Sequence, residues 1–437
     1  MRGRSSVALG FLALIAVGAF LLTMPWARHD GAWGGFFSAA FTACSAVCVT
    51  GLTVVDIATE YSFAGQVLLT ALVEVGCLGL MTCGTFLMVA IGRRISLSRE
   101  FSLMNAYGVE QIHGLKGLIF WVVGSMAVIE SIGAAVLYLR VHDVWFSIFY
   151  SVMAFCNAGF SILPGSVVGF AADPWIVFVL ALETILGGIG FLVIYNLLTF
   201  KFQRRMSGGR GRLSLHTKVV LRVTLYLLAG TFVIFLALEW NGVLREFAPL
   251  QKLVVAFYQS VTPRTCGFCI TPTEDLGRFT RLVYEVLMFI GGAPGSAAAG
   301  IKVTTLAVLV YTLRAMCRGD HETTIYRRMV SFDTVRESIV IFMALTALAI
   351  LATGALLLTE GSAGPSTDAL MFEAISAVTT TGLSVGDTTA RLSVAGKVVI
   401  MVAMFCGRLG ALTVVMMIGD RECVAHVRYP GEELVVG

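Results

Sequence analysis

The chain alternates between long apolar segments and shorter, half-apolar ones. Eight apolar segments are long enough to cross a bilayer as helices, and they cover residues 7–27, 64–92, 117–139, 174–200, 219–239, 281–312, 337–358 and 395–418. Between the members of each successive pair lies a half-apolar stretch, and the four stretches centre on residues 36–52, 145–160, 252–268 and 369–383. Each stretch is too short to cross and ends at a glycine, which predicts a re-entrant segment.

The half-apolar stretches belong to a fourfold internal repeat. Their terminal glycines are separated by 108, 108 and 115 residues and are Gly51, Gly159, Gly267 and Gly382. A phenylalanine stands ten residues before each glycine, at Phe41, Phe149, Phe257 and Phe372. A G-x-x-G pair follows in the next apolar segment, beginning at Gly76, Gly187, Gly292 and Gly407. We call each repeat a unit and place the four units at residues 1–100, 101–212, 213–328 and 329–437.

The units all have one orientation, so they are expected to surround an axis along the membrane normal. The predicted fold is therefore an all-α membrane protein of four tandem helix–pore-loop–helix repeats. It has eight spanning helices, including a retained first one, around one pseudo-four-fold central pore.

Composition and charge agree with this prediction. The chain is 57% apolar and 13% charged, whereas soluble proteins carry roughly 25% charged residues. No tail rich in lysine, arginine and aromatic residues is present, so nucleic acid is not a predicted partner. The two ends of the chain and the loops near 93–116, 201–222 and 314–336 hold 20 of the 31 lysines and arginines. These five regions fall on one side, which predicts that both termini are cytoplasmic.

The residues that end at each repeated glycine, which we call the glycine segments, are the candidate ion-binding site. They are Val49-Thr50-Gly51, Asn157-Ala158-Gly159, Thr265-Cys266-Gly267 and Thr380-Thr381-Gly382. Glycine accepts a positive φ at little cost, which lets successive carbonyl groups point the same way. Rings of backbone carbonyls can replace the hydration shell of K⁺. No glycine segment carries a charge, which favours carbonyl coordination over a ring of carboxylates.

Three further features concern the ion path. One run should interrupt a helix at membrane depth: Gly291 to Gly300, which includes Gly292, Pro294 and Gly295 and precedes Lys302. The alternative is that its small residues make a close contact between helices. Arg408 lies inside the last apolar segment, where arginine faces a cavity or a partner, and the candidate partners are Glu74, Glu183 and Glu285. Asp56 and Asp387 each follow a glycine segment by five residues, and they either concentrate cations or are ordinary solvated residues.

Several strings carry a family resemblance. The four strings VTGL, NAGF, TCGF and TTGL resemble the filter sequences of the Trk/Ktr/HKT superfamily. The strings GGAPGSAAAGIK (291–302), GRLGALT (407–413) and RYPGEELVVG (428–437) resemble its third and fourth inner helices and the carboxyl terminus of its KtrB branch. The resemblance covers essentially the whole chain. One departure is Cys266, where a small non-thiol residue is usual.

The resemblance implies a potassium-channel-like fold and potassium-selective uptake through a bacterial inner membrane protein. Gly51 in the first glycine segment goes with selectivity for K⁺ over Na⁺, and sodium dependence stays open. The family assigns gating to residues 291–300 and places the arginine at 408 in the pore below the filter, with Lys302 as a further candidate for that role.

The family also implies a homodimer on a cytoplasmic, KtrA-like RCK ring that binds nucleotide. The chain itself contains no G-x-G-x-x-G nucleotide fold, so nucleotide control would require that partner. The basic loops could contact the ring or anionic lipid. Two other classes of function are a carrier for a polar organic solute and a membrane enzyme. The parallel fourfold repeat disfavours a carrier, and six scattered histidines disfavour an enzyme.

Overall fold

A computed structural model describes residues 2–79, 115–163, 165–206, 213–320, 322–361 and 364–410, and the structural statements below concern these residues. They are mostly helical, with one antiparallel hairpin that pairs Thr324–Ile325 with Arg328–Met329. The all-α class is confirmed. Parts of the apolar segments 64–92 and 395–418, the basic residues 93–99 and the carboxyl-terminal motif 428–437 lie outside the described residues.

A succession of three helices recurs four times. The leading helices are Arg2–Thr23, Leu115–Val141, Leu215–Glu239 and Phe332–Glu360. The short helices occupy the predicted re-entrant stretches and are Phe36–Val47, Val144–Cys156, Pro249–Val261 and Thr367–Val378. The following helices are Phe63–Leu78, Pro174–Ile189, Arg278–Phe289 and Val394–Leu409, the first and last preceded by the one-turn helices Ile57–Glu60 and Thr388–Arg391. Each glycine segment follows the end of a short helix, with at most three residues between them.

Side-chain caps fix where several of these helices begin. Asp143 accepts a hydrogen bond from the backbone N–H of Phe146 at 2.9 Å, at the start of the second short helix. Ser393 accepts one from Gly396 at 3.1 Å, at the start of the fourth following helix. Such a cap satisfies an orphan amide and stabilises a helix by about 0.5–2 kcal/mol. The polar residues that interrupt the apolar pattern therefore set the helix boundaries.

Within the described residues, which stop at Gly79 and Gly410 in the first and fourth units, interruptions are seen in the following helices of the second and third units. In the second unit, Pro174–Ile189 is followed by Phe191–Met206 after a bend of 95°, whereas the apolar pattern predicts one segment over 174–200. Gly190 lies at the bend with a φ of +92°, and the Phe191 amide donates to the carbonyl oxygen of Gly295 at 3.1 Å. In the third unit, the helix stops at Phe289 and resumes as Val303–Arg318. Residues 291–300 are thus non-helical, as the sequence predicts.

By length and composition alone, three described helices can cross a membrane, and the bent pair of the second unit could make a fourth. The three spans are Phe120–Val141, Leu215–Glu239 and Phe332–Glu360. Large apolar side chains on their outer faces are exposed, among them Ile132 at 59% and Leu358 at 88%. The short helices lie inside, where Phe41 and Phe149 are fully buried. The apolar exterior and enclosed short helices fit a protein that is surrounded by lipid.

Candidate functional site

The glycine segments share one backbone conformation. The four glycines have φ angles of +95°, +65°, +78° and +85° in chain order. The residue two positions earlier is also left-handed in every unit, with φ angles of +56° at Val49, +58° at Asn157, +67° at Thr265 and +50° at Thr380. Non-glycine residues adopt this region at a cost of about 1–2 kcal/mol each. The repetition of a costly conformation in four units indicates that the surrounding structure holds these segments in place.

The four segments meet one another in cyclic order. A Cβ atom placed on Gly51 would lie 2.2 Å from the carbonyl oxygen of Ala158 in the second unit. On each of the other glycines, a Cβ atom would likewise lie near the carbonyl oxygen of the residue that precedes the glycine of the next unit. The distances from Cβ to that oxygen are 3.1 Å from Gly159 to Cys266, 2.8 Å from Gly267 to Thr381, and 1.9 Å from Gly382 to Thr50. Every unit therefore contacts the next one, and the fourth contacts the first. The structure brings the predicted ion-binding segments together as one closed ring.

Backbone hydrogen bonds hold the ring residues. In three units the amide that precedes the glycine donates to a carbonyl five residues earlier: Thr50 to Ser45 at 2.8 Å, Ala158 to Met153 at 2.9 Å, and Thr381 to Ser376 at 2.8 Å. The third unit differs, because Cys266 donates to Thr262 at 3.1 Å. The Cys266 sulfur lies 3.3 Å from the Thr184 hydroxyl. The thiol is thus engaged with a neighbouring helix, while the backbone of Cys266 takes part in the ring.

A cavity of about 700 Å³ opens above the ring. All four glycines line it, together with the loops that follow them. Three carboxylates lie on its wall, at Asp56, Glu274 and Asp387. Asp56 and Asp387 were predicted from the sequence as candidate residues that concentrate cations, whereas Glu274 was not. Among the described residues, no group of three or more His, Cys, Asp and Glu side chains is placed to hold a metal ion.

The 291–300 segment takes no part in lining this cavity. It is separated from the cavity loop that holds Glu274 by the 12-residue helix Arg278–Phe289. Its base is joined by hydrogen bonds from Gly291 to Ile301 at 3.0 Å and from Ile301 to Phe289 at 2.9 Å. Its body bonds to the second unit, where the Ala293 amide donates to Gly188 at 2.9 Å. The segment is therefore a compact loop seated against the bend of the second unit.

Arg408 and Lys302 hold this loop. Arg408 donates to the carbonyl oxygen of Ala297 at 2.7 Å and to that of Gly76 at 2.6 Å. Lys302 donates to the carbonyl oxygen of Ala298 at 2.5 Å. Arg408 thus bridges the loop to the end of the first following helix.

The three carboxylates considered as partners of Arg408 do not pair with it in the described part of the chain. They are Glu74, Glu183 and Glu285. Glu183 instead accepts a hydrogen bond from the Ser151 hydroxyl. The guanidinium of Arg408 is satisfied by backbone carbonyls.

Two buried charged residues beside the glycine segments escaped the sequence analysis. Arg264 immediately precedes the third segment and is 8% exposed. Glu373 lies in the fourth short helix, is fully buried, and accepts hydrogen bonds from Ser384, at 2.9 Å, and Thr389. The available signal was a charged residue inside a short apolar stretch, where burial without a partner is costly.

Electrostatic contacts outside the spanning helices tie the cavity side of the first unit together. Arg28 donates to Asp30 at 3.1 Å and to Glu60 at 2.5 Å. The hydrogen bond from Arg28 holds the pKa of the Asp30 carboxyl below its usual value. The contact with Glu60 links the loop after the leading helix to the one-turn helix Ile57–Glu60, which precedes the following helix.

Comparisons with known proteins agree with one another. The family model described as TrkH, cation transport protein, matches residues 7–420. The chain is 34% identical to the potassium/sodium uptake protein NtpJ of Enterococcus hirae, over 99% of this chain and 96% of that protein. It is 34% identical to the Ktr system potassium uptake protein B of Bacillus subtilis, over 99% and 96% of the two chains. The corresponding protein of Vibrio alginolyticus is 35% identical, over 99% and 94%.

A solved structure shows the same fold. The potassium transporter TrkH from Vibrio parahaemolyticus superposes with a TM-score of 0.76, over 95% of this chain and 84% of that one. The two sequences are 17% identical. At this identity the likeness concerns the fold.

Proposed function

This chain belongs to the TrkH family of cation transport proteins, and from that premise we propose that it is the potassium-translocating subunit of a bacterial Ktr-type uptake system. The observation that carries the proposal is the closed ring of four glycine segments, in which each glycine lies against a backbone carbonyl of the next unit. A ring of carbonyl oxygens can replace the water that K⁺ loses on entering the protein.

We infer that the twelve residues of the glycine segments bind K⁺ through their backbone. Their side chains are uncharged and almost completely buried, so the carbonyl dipoles provide the negative potential. A bound ion is cargo that passes from the cavity side to the opposite side. The membrane potential supplies about 2.3 kcal/mol per charge for each 100 mV.

The cavity above the ring would collect cations. Asp56, Glu274 and Asp387 line one concave space, and carboxylates in a cleft raise the local concentration of cations. We place this cavity on the outer side, because the basic loops predict a cytoplasmic location for the opposite side. The protein would then lie in the bacterial inner membrane with both termini in the cytoplasm.

The 291–300 segment is the proposed gate. It is anchored by Arg408 and Lys302 through carbonyl groups at Ala297 and Ala298, so conduction requires those contacts to change. Arg408 would act chiefly as a tether of the closed segment, and its charge would also oppose cation passage.

The relationship to Ktr system proteins supports a proposal about the assembly. We propose a homodimer on a cytoplasmic RCK-type ring that binds nucleotide, with the basic loops at the ring or at anionic lipid. The related protein of Enterococcus hirae is named a potassium/sodium uptake protein, which keeps dependence on Na⁺ as part of the question. The units 1–100, 101–212, 213–328 and 329–437 stay our proposed division of the chain.

The test is rubidium uptake into liposomes that contain the purified protein under an inside-negative potential. We expect uptake that is inhibited by K⁺ much more than by equal Na⁺, with protein-free liposomes as the control. Deletion of residues 293–299 should raise the rate per protein, because it removes the body of the proposed gate. Uptake that needs an organic solute gradient, or that Na⁺ inhibits equally, would contradict the proposal.

A further inference from the structure

The third unit breaks a contact that the other three units share. In those three, the first glycine of the G-x-x-G pair lies against the carbonyl group four residues before the ring glycine. A Cβ atom on that glycine would lie 2.2 Å from the oxygen of Val47 for Gly76, 1.9 Å from that of Phe155 for Gly187, and 2.0 Å from that of Val378 for Gly407. The close approach joins each following helix directly to its short helix. In the third unit, Gly292 lies instead near Gly188 and Ala298.

Arg264 makes the replacement contact. The third following helix ends at Phe289, so its continuation cannot reach the short helix by close backbone approach. A nitrogen of the Arg264 guanidinium donates to the carbonyl oxygen of Gly291 at 3.3 Å. Arg264 lies between the third short helix and Thr265, the first residue of the glycine segment. One side chain therefore spans from the ring to the base of the 291–300 segment.

This arginine lies in an unfavourable environment. It is 8% exposed and forms no ion pair among the described residues, and its Nε atom has no hydrogen-bond partner. An uncompensated buried charge is expensive. The other units have small uncharged residues at this position, Cys48, Cys156 and Thr379. Among the described residues, the charged residue thus coincides with the unit whose following helix ends before its G-x-x-G pair and leaves residues 291–300 non-helical.

We propose that Arg264 is a positioning residue that couples the third glycine segment to the 291–300 segment. If the segment moves away, Gly291 no longer accepts the hydrogen bond and the guanidinium loses its anchor. Arg264 must then shift, and Thr265 is its direct neighbour in the chain. Since coupling between two sites is reciprocal, ion occupancy of the ring also biases the position of the segment. The inference rests on the proposed gate and names its link to the ring.

The test is a double-mutant cycle in the full-length protein. Arg264→Gln and the deletion of residues 293–299 are made singly and together, and rubidium uptake per protein is measured over a range of rubidium concentrations. In the undeleted protein, Arg264→Gln should raise the maximal rate about tenfold, the effect of losing one charge-assisted hydrogen bond, and should change the apparent KM. In the deletion background the same substitution should change neither quantity, because the Gly291 carbonyl remains but the body of the segment that this contact positions is absent.

Arg264→Lys and Arg278→Gln complete the set. Lysine keeps a positively charged donor for the Gly291 carbonyl, so Arg264→Lys should have nearly the parent rate and KM. The yield and melting temperature of the Arg264→Gln and Arg264→Lys proteins show whether the positive charge is needed only for folding. Arg278 is exposed at the opposite end of the third following helix, and its replacement should leave uptake unchanged.

The outcomes separate the inference from the proposed gate. If the deletion raises uptake and Arg264→Gln acts equally in both backgrounds, the coupling is wrong while the gate stands. If the deletion leaves uptake unchanged, the proposed gate fails and the coupling fails with it. If Arg264→Gln and Arg264→Lys lower only yield and melting temperature, with the parent rate per protein, the residue is structural and the inference is overturned.

Discussion

Replacing the four ring glycines by alanine, one at a time, should produce a graded loss of potassium selectivity. All four have positive φ angles, so each substitution carries a backbone cost of about 1–2 kcal/mol. The steric cost differs. The nearest backbone atom to the new Cβ would lie at 1.9 Å for Gly382, 2.2 Å for Gly51 and 2.8 Å for both Gly159 and Gly267.

These distances translate into different displacements of the ring. An ordinary contact between carbon and a carbonyl oxygen is roughly 3.3 Å. The backbone must therefore move by about 1 Å at Gly382 and Gly51 and by about half that at Gly267. At Gly159 the nearest atom is the Cα of Gly267, and an ordinary carbon–carbon contact of about 3.5 Å requires an intermediate displacement. Overpacking of this kind costs about 1–3 kcal/mol, and 1.4 kcal/mol is a tenfold change in an equilibrium. We expect the preference for Rb⁺ over Na⁺ to fall by about tenfold or more at Gly382 and Gly51, and by less at the other two.

The assay is rubidium uptake into liposomes with Na⁺ as competitor, normalised to folded protein. Gly31→Ala is the matched control, because Gly31 has a φ of +64° and a Cβ there would meet nothing within 4 Å. It separates the backbone cost from displacement of the ring. Equal selectivity in all four variants and the parent would refute the assignment of these carbonyls as ligands of the ion. A loss that does not follow the order of the distances would refute the steric reasoning.

Two other substitutions test the surroundings of the ring. Arg408→Gln should raise rubidium uptake about tenfold or more, because it removes at least one charge-assisted hydrogen bond, worth about 1.5–3 kcal/mol, from the closed gate. If the membrane yield instead collapses and is rescued by neutralising Glu74, Glu183 or Glu285, Arg408 forms an ion pair. Gly407→Ala should lower stability by about 1–3 kcal/mol, seen as a lower melting temperature, since its Cβ would lie 2.0 Å from the Val378 oxygen. Gly230→Ala is the control for that measurement, having nothing within 4 Å, and equal melting temperatures for these two glycine variants would count against the close approach.

The repeated features of the fold were predictable, and its asymmetric contacts were not. The glycines of the ring could be found because four equivalent positions share one residue type and one spacing. The loop at 291–300 could be found because glycine and proline do not sustain a helix. The bend at Gly190 was missed, although that glycine belongs to a G-x-x-G pair. The following helices of the first and fourth units also end at the second glycine of the pair, Gly79 and Gly410, with positive φ angles. The bend at Gly190 further places the Phe191 amide on the carbonyl oxygen of Gly295, more than one hundred residues away, and the apolar pattern of 174–200 does not encode that contact.

Arg264 and the hydrogen bonds of Arg408 were missed for a related reason. A buried cation is expected beside an opposite charge, and three glutamates of the apolar segments were therefore predicted as partners of Arg408. The structure satisfies Arg408 with carbonyl groups of broken helices, and any loop can provide such acceptors. The carbonyl groups that accept hydrogen bonds from Arg408 are available because they lie where helices end or are broken.

The linkage of all four units in one polypeptide has a consequence for how such a ring can be modified. In an assembly of four identical subunits, every substitution would appear four times around the axis. Four copies of Arg264 would bring four positive charges to the segments that line the candidate cation path. Four following helices that end before the G-x-x-G pair, as the third does, would remove every close contact between the short and following helices. Tandem duplication within one gene allows a single quadrant to acquire a cation and to lose the close contact between its following and short helices, while the other three keep that contact. The third unit, with Arg264 and residues 291–300, is where this chain has used that freedom.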